Sequence, residues 1–236
     1  MQIGTCRVNS LEDERYKYST QESLLNSALA QWAFESLQNC ETSVLPDGCC
    51  DIIVRQHTNR DSTWFVSDLS HSAYRVSTSA GIRMRGVRLY PGVQIRHAEI
   101  NSWLYGRNPA DLFESDQLDE FCVRSENLSS ALECIASGMP SVLAVAKELG
   151  ISLRTLERCV KSGTGESPYY WFSLARARRA GRSLEKTGGL SVAAFEAGFA
   201  DQSHMTREMR KWFKCTPAQL KIDKHLLGIL AEPGYG

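Results

Sequence analysis

A tandem repeat in the last third of the chain constrains its fold more than any other feature. Within residues 142–150, Val142, Val145, Ala146 and Leu149 fall at i, i+3, i+4 and i+7, which is one apolar helix face. Gly150 follows, and glycine takes the left-handed conformation that a tight helix stop requires. Ser152 is a good N-cap for a second helix with Leu153, Leu156 and Val160 on its inner face. The same grammar returns downstream. Val192, Ala194 and Phe195 precede Gly198, Asp201 caps, and Met205, Met209 and Phe213 form the next inner face. Gly150 recurs as Gly198, 48 residues on. After one extra turn residue the offset is 49, pairing Leu156 with Met205, Arg158 with Arg207, Lys161 with Arg210, and Ser167-Pro168 with Thr216-Pro217. Each of the last two pairs is an N-cap followed by proline at the first helical position. Residues 169–184 contain no breaker except Gly181 and read as one connecting helix carrying Arg176, Arg178, Arg179 and Arg182.

Charge divides the chain in the same place. The whole is neutral, with 27 Lys+Arg against 27 Asp+Glu. Residues 1–140 hold 12 basic and 18 acidic side chains, whereas residues 141–224 hold 15 basic and 8 acidic. An acidic two-thirds joined to a basic third predicts two domains, the second attractive to a polyanion. Two helix-turn-helix units in such a segment suit duplex DNA, since a helix fits the major groove and a rigid linker presents two helices to successive grooves.

The exposed side of the first recognition helix shows Arg154, Thr155 and Arg158, and that of the second Gln202, Ser203, His204 and Arg207. Arginine matches guanine O6/N7 and glutamine matches adenine N6/N7, so these seven are the candidate base readers. Lys161, Arg210, Lys211 and Lys214 lie toward the helix ends and are candidate phosphate contacts. The competing reading for each arginine is a surface ion pair with a neighbour such as Glu157 or Glu208.

The first 125 residues read as mixed structure. Residues 21–31 suit a short helix. Short strand-length runs follow at residues 51–55, 62–66 and 74–76, and an alternating run at 82–90. Pro46-Asp47-Gly48 and Pro91-Gly92 are turn chemistry. Residues 93–105, 117–123 and 128–137 are expected to be helical. The expected class is therefore α+β. A small β-barrel or sandwich-like domain with helices spans residues 1–125, a linking helical region 126–140, and an all-α domain of two helix-turn-helix units joined by a long helix 141–236.

Several functions are disfavoured. No apolar run approaches the ~18–20 residues of a membrane span, and Glu12, Asp13, Glu14, Arg15 and Lys17 stand where a secretory signal would be apolar, so the cytoplasm is the expected compartment. The eight cysteines (6, 40, 49, 50, 122, 134, 159, 215) form no C-x-x-C pair and stand at no finger-like spacing from the histidines; neither zinc nor any cofactor is expected. Reduced thiols filling small apolar sites are the expectation, with the vicinal Cys49 and Cys50 as the one candidate thiol-reactive sensor. No Gly-x-Ser-x-Gly, phosphate loop or paired-histidine helix is present, and no enzymatic activity is expected. The alternative is an enzyme-like or thiol-reactive N-terminal domain built around Cys49 and Cys50 and carried to DNA by the C-terminal module.

Residues 141–220 resemble the DNA-binding domain of AraC/XylS-type transcriptional regulators. The resemblance rests on residues 145–158 and, above all, on Gly198-Phe199-x-Asp201-x-Ser203-x-x-x-Arg207 followed by Phe213 and Thr216-Pro217. It implies base reading by Arg154, Arg158, Ser203, His204 and Arg207. It also implies promoter DNA as partner, with RNA polymerase, a small-molecule effector and a second copy of the chain as further candidates, and the role of an activator. Two departures stand out: Phe213-Lys214-Cys215 where Phe-Gly is usual, and Cys159-Val160 where Leu-Phe is common. Residues 44–53 and 86–92 resemble segments of the N-terminal domain of some members, with Trp32-Ala33-Phe34 as the preceding strand; that domain is often sensory or dimerising.

Overall fold

The computed structural model describes residues 8–57, 60–114 and 117–236. Cys6 lies outside the described residues. The chain forms two compact units. Among the described residues, one comprises 8–42, 50–57, 60–68, 75–114 and 117–124, the other 43–49, 69–74 and 125–236.

The first unit is built on a six-stranded antiparallel sheet of β1 (Val8–Asp13), β2 (Tyr16–Glu22), β3 (Ala28–Ser36), β5 (Asp51–His57), β6 (Arg60–Val66) and β8 (Arg83–Leu89). Their order is β1-β2-β3-β8-β5-β6. Two small ladders accompany it: β4 (Cys40–Val44) with β7 (Tyr74–Thr78), and β9 (Gln94–Ile95) with β10 (Cys122–Val123). The runs expected at 51–55, 62–66, 74–76 and 82–90 are strands, and Trp32 lies in β3 opposite Gly86 of β8. The Trp32 indole covers Gly86 so closely that a Cβ there would sit 2.1 Å from it, which is why this strand position holds glycine. Asp51 opens β5 and accepts from Trp32 Nε1 (2.9 Å) and Arg88 Nε (3.3 Å), tying three neighbouring strands.

The helix expected at residues 21–31 does not form. Gln21 and Glu22 end β2, and Ala28 begins β3, whose Ala28, Ala30, Phe34 and Ser36 are buried on a strand's two-residue period. Pairing on both sides of β3 overrides the local helical preference, and Leu24 is left exposed in the reversal. Asp119 holds that reversal by accepting from the backbone N–H groups of Asn26 and Ser27 (2.9 and 3.0 Å) and from the Ser27 hydroxyl.

Helices α1 (His97–Trp103) and α2 (Leu118–Phe121), with a 3₁₀ turn at Pro109–Phe113, cover part of the sheet. Ile100, Leu104, Leu112, Leu118 and Phe121 pack on Ile52, Val87 and Leu89. Both helices are shorter than the sequence suggests, because residues 94–95 and 122–123 pair as strands.

The second unit is helical: α3 (Glu126–Ala136), α4 (Val142–Glu148), α5 (Leu153–Thr164), α6 (Pro168–Ser183), α7 (Leu190–Glu196), α8 (Gln202–Phe213), α9 (Pro217–Ile222) and α10 (Lys224–Ala231). Helix α3 packs into this core through Leu128, Leu132 and Ile135. The core is centred on α6, whose Trp171, Leu174 and Ala177 meet Trp212 and Met209 of α8, Val160 and Leu156 of α5, and Leu220 and Leu230 beyond.

Candidate DNA interface

The repeat read in the sequence is a repeat in space. Gly150 and Gly198 both take positive φ (66° and 78°). At each, the same pair of bonds closes the preceding helix. Ile151 and Gly150 donate to the carbonyls of Ala146 and Lys147; Phe199 and Gly198 donate to those of Ala194 and Phe195. This is the Schellman arrangement twice. Ser152 accepts from Thr155 N–H, and Asp201 from His204 N–H, starting α5 and α8 alike. Ser167 and Thr216 cap α6 and α9 ahead of their prolines.

Three residues read as inner-face face outward instead, with Ile151 beside them. Leu153, Val192 and Phe195 are exposed, Phe195 by 82%, and Ile151 is exposed as well. The 48-residue offset gives the reason: Val145 and Ala146, the buried pair of α4, correspond to Ala193 and Ala194 of α7, which turns Val192 and Phe195 away from the core.

On α5, Arg154, Arg158 and Lys161 are exposed at i, i+4 and i+7. On α8, Ser203, Arg207 and Arg210 are exposed at the same spacing, each 49 residues on. Helices thus carry matching outward stripes. None of these five cations makes an ion pair or hydrogen bond among the described residues, and Glu208 instead accepts from the Ser173 hydroxyl. The ion pairs with Glu157 or Glu208 that would have explained the arginines away are not formed.

The remaining predicted readers are partly engaged. Thr155 shares a hydroxyl contact of 2.8 Å with Ser152. Gln202 Oε1 accepts from Ser191 at 3.1 Å, pinning the start of α7 to that of α8. The His204 ring stands edge-on to Phe199 at 5.3 Å, with Nδ1 accepting from Ala200 N–H. Lys211 Nζ lies 4.9 Å over the Trp212 ring, and Lys214 adopts the left-handed conformation (φ 58°) at the end of α8. Thr206 was not singled out by sequence. It joins Gln202, Ser203, Arg207 and Arg210 around a shallow groove on α8, and its spacing of three from Ser203 was the available signal.

The arginines of α6 belong to a different class. Arg178 is buried and donates to the carbonyls of Pro46 (3.2 Å) and Glu232 (3.3 Å). Arg179 donates to Ala136 O (2.6 Å), Arg182 to Leu230 O (3.0 Å), and Arg176 lies over Phe199 at 4.5 Å. Burial lowers the pKa of Arg179 and of Arg182. A share of the unit's basic charge is therefore spent on the fold, and α5 and α8 carry outward cations of their own.

Residues 145–221 match the family described as a helix-turn-helix domain. The chain is 37% identical over 81 residues to the virulence regulon transcriptional activator VirF of Yersinia enterocolitica, covering 34% of this chain and 30% of that protein. It is 34% identical over 80 residues to the transcriptional activator RhaS of Escherichia coli O139:H28, covering 33% and 28%. The helical unit carries a helix-turn-helix domain similar to that of these activators. The chain spans under a third of the length of these curated relatives. Among solved structures, an AraC-type transcriptional regulator from Chromobacterium violaceum is 25% identical over 45% of this chain and 94% of that one, with a TM-score of 0.38.

An open groove of ≈ 850 Å³ lies on the sheet of the first unit, floored by Lys17, Ser19, Ala33, Glu35, Arg83 and Arg85. Cys49 is buried, with its thiol 3.6 Å from Asp47 O, and Cys50 is half-buried just before β5. Among the described residues no cysteine forms a disulfide, no group of His, Cys, Asp and Glu could hold a metal, and no helix is long and apolar enough to cross a membrane. Burial pushes the Cys122 thiol up to about 11.

Proposed function

We propose that the chain is a sequence-specific DNA-binding transcriptional regulator that inserts α5 and α8 into successive major grooves of promoter DNA. The observation that carries the reading is the pair of matched outward stripes, Arg154–Arg158–Lys161 and Ser203–Arg207–Arg210, with no cation of either stripe paired among the described residues. Arg154, Arg158 and Arg207 read bases, with Ser203, Thr155, Gln202 and His204 beside them. Lys161, Arg210, Lys211 and Lys214 hold phosphates. The relatives VirF and RhaS, both transcriptional activators, support an activator's role exercised through binding rather than catalysis. Its setting is the cytoplasm, where promoter DNA and RNA polymerase meet. The sheet unit modulates occupancy, through a small molecule in its groove or through a second copy; the burial of Cys49 favours this over thiol chemistry.

The test starts from duplexes selected out of a random pool by the full chain. Arg207→Ala should weaken binding to the selected duplex by roughly 1–3 kcal/mol and relax one base position. An equal loss on every sequence would move Arg207 to the backbone, and a chain that selects nothing would end the reading.

A further inference from the structure

The second recognition helix is held by a piece of chain that is not helical and lies far from it in sequence. Segment 69–74, between β6 and β7, belongs to the helical unit. Ala73 N–H donates to Trp212 O at 2.7 Å. That carbonyl is one of the last four of α8, which have no partner inside their own helix. Ser70 O accepts from the Tyr170 hydroxyl at 3.2 Å. The His71 ring stands edge-on to Tyr170 at 5.4 Å, with Nε2 3.6 Å from a Glu166 carboxylate oxygen. Tyr170 in turn meets the Trp212 ring edge-on at 5.1 Å, and Trp212 Nε1 donates to Ser173 of α6.

Segment 43–49 grips the other side of the same aromatic cluster. Tyr235 N–H donates to Asp47 O at 2.7 Å, and the Tyr235 ring meets Trp171 at 4.9 Å. Gly48 (φ 72°) leaves no room for a side chain, since a Cβ would lie 2.9 Å from Trp171. The two segments leave the sheet together. Ser67 N–H donates to Asp51 O, and Asp51 N–H to Ser67 Oγ, at one end of the β5–β6 pair.

We propose that segment 69–74 is a positioning strap for α8. By fixing the Trp212 turn against α6, it sets where the Ser203–Arg207–Arg210 stripe points, and so sets affinity at the half of the DNA site read by α8. The strap runs directly out of β6 and into β7, so the sheet unit has a covalent path through it to the second recognition helix. The inference rests on the DNA-binding reading and adds to it a named element of control.

The experiment uses the full chain carrying Tyr170→Phe, which removes the hydroxyl that anchors the strap and keeps the ring. Binding is measured on the wild-type-selected duplex and on two derivatives, each with one half-site scrambled. Loss of one net hydrogen bond predicts about a five-fold weaker affinity on the intact duplex. It also predicts little change on the duplex whose α8 half is already scrambled. Amide exchange should rise at the carboxyl end of α8 and stay unchanged in α5. Ala73→Pro, which deletes the strap's donor to Trp212, should repeat both patterns more strongly. Equal losses at both halves, or none at either with exchange in α8 unaltered, would overturn the strap. Wild-type chain that selects no duplex at all would remove the DNA reading, and the strap's purpose with it.

Discussion

Lys214 shows how one residue can serve two ends of opposite sign. It occupies the left-handed position closing α8, where its counterpart 49 residues earlier, Gly165, is a glycine with φ 79°. A side chain there costs about 1 kcal/mol relative to glycine. Lys214→Gly should therefore raise thermal stability by about that amount, while weakening DNA binding and lowering the salt slope by about one. Melting curves and salt titrations check the two halves separately; unchanged affinity would take Lys214 out of the interface. Asp119 gives a pH dependence of known sign. Burial raises its pKa, but the hydrogen bonds from Ser27 and Asn26 outweigh that, and the net shift is downward. A depressed carboxyl contributes stability that is present above its unfolded value of ~3.9 and lost as pH falls through the folded value. Asp119→Asn should lower stability at neutral pH and flatten its acid dependence, read by denaturant midpoints from pH 7 downward.

At the scale of elements, the helix-turn-helix units were legible because their signals are local. Capping Ser152 and Asp201, stop glycines Gly150 and Gly198, and a 3.6-residue apolar period need no partner to be read. Strand β3 was not legible as a whole, because Ala28–Gln31 is helix-compatible in isolation and is extended only by pairing with β2 and β8. The arginines of α6 were visible, but their fate was not: nothing local tells Arg178 on α6 from Arg158 on α5, and the difference is made by carbonyls 54 and 132 residues away. Helix α6 also carries Gly181, where a Cβ would fall 2.4 Å from Leu230 and 3.3 Å from Leu220. Gly181→Ala gains helix propensity but must displace α10, and a net destabilisation of about 1–3 kcal/mol is expected. Denaturant unfolding checks it; a gain in stability would show that α10 is loosely held.

On the scale of the whole molecule, the charge division falls between residues 140 and 141, whereas the two compact units divide between residues 124 and 125. It did not foretell that residues 43–49 and 69–74, inside the acidic part, would join the helical core through Leu45 and Ala73. Such returns of the chain are long-range and leave no periodic trace. In the proposed function both recognition helices act on one duplex. Guanine-methylation interference on the selected duplex measures it most directly. Two major-groove patches are expected on one face, centred roughly 10 base pairs apart, with Arg158→Ala erasing dependence in one and Arg207→Ala in the other. A single patch sensitive to both substitutions, or interference confined to the minor groove, would contradict it.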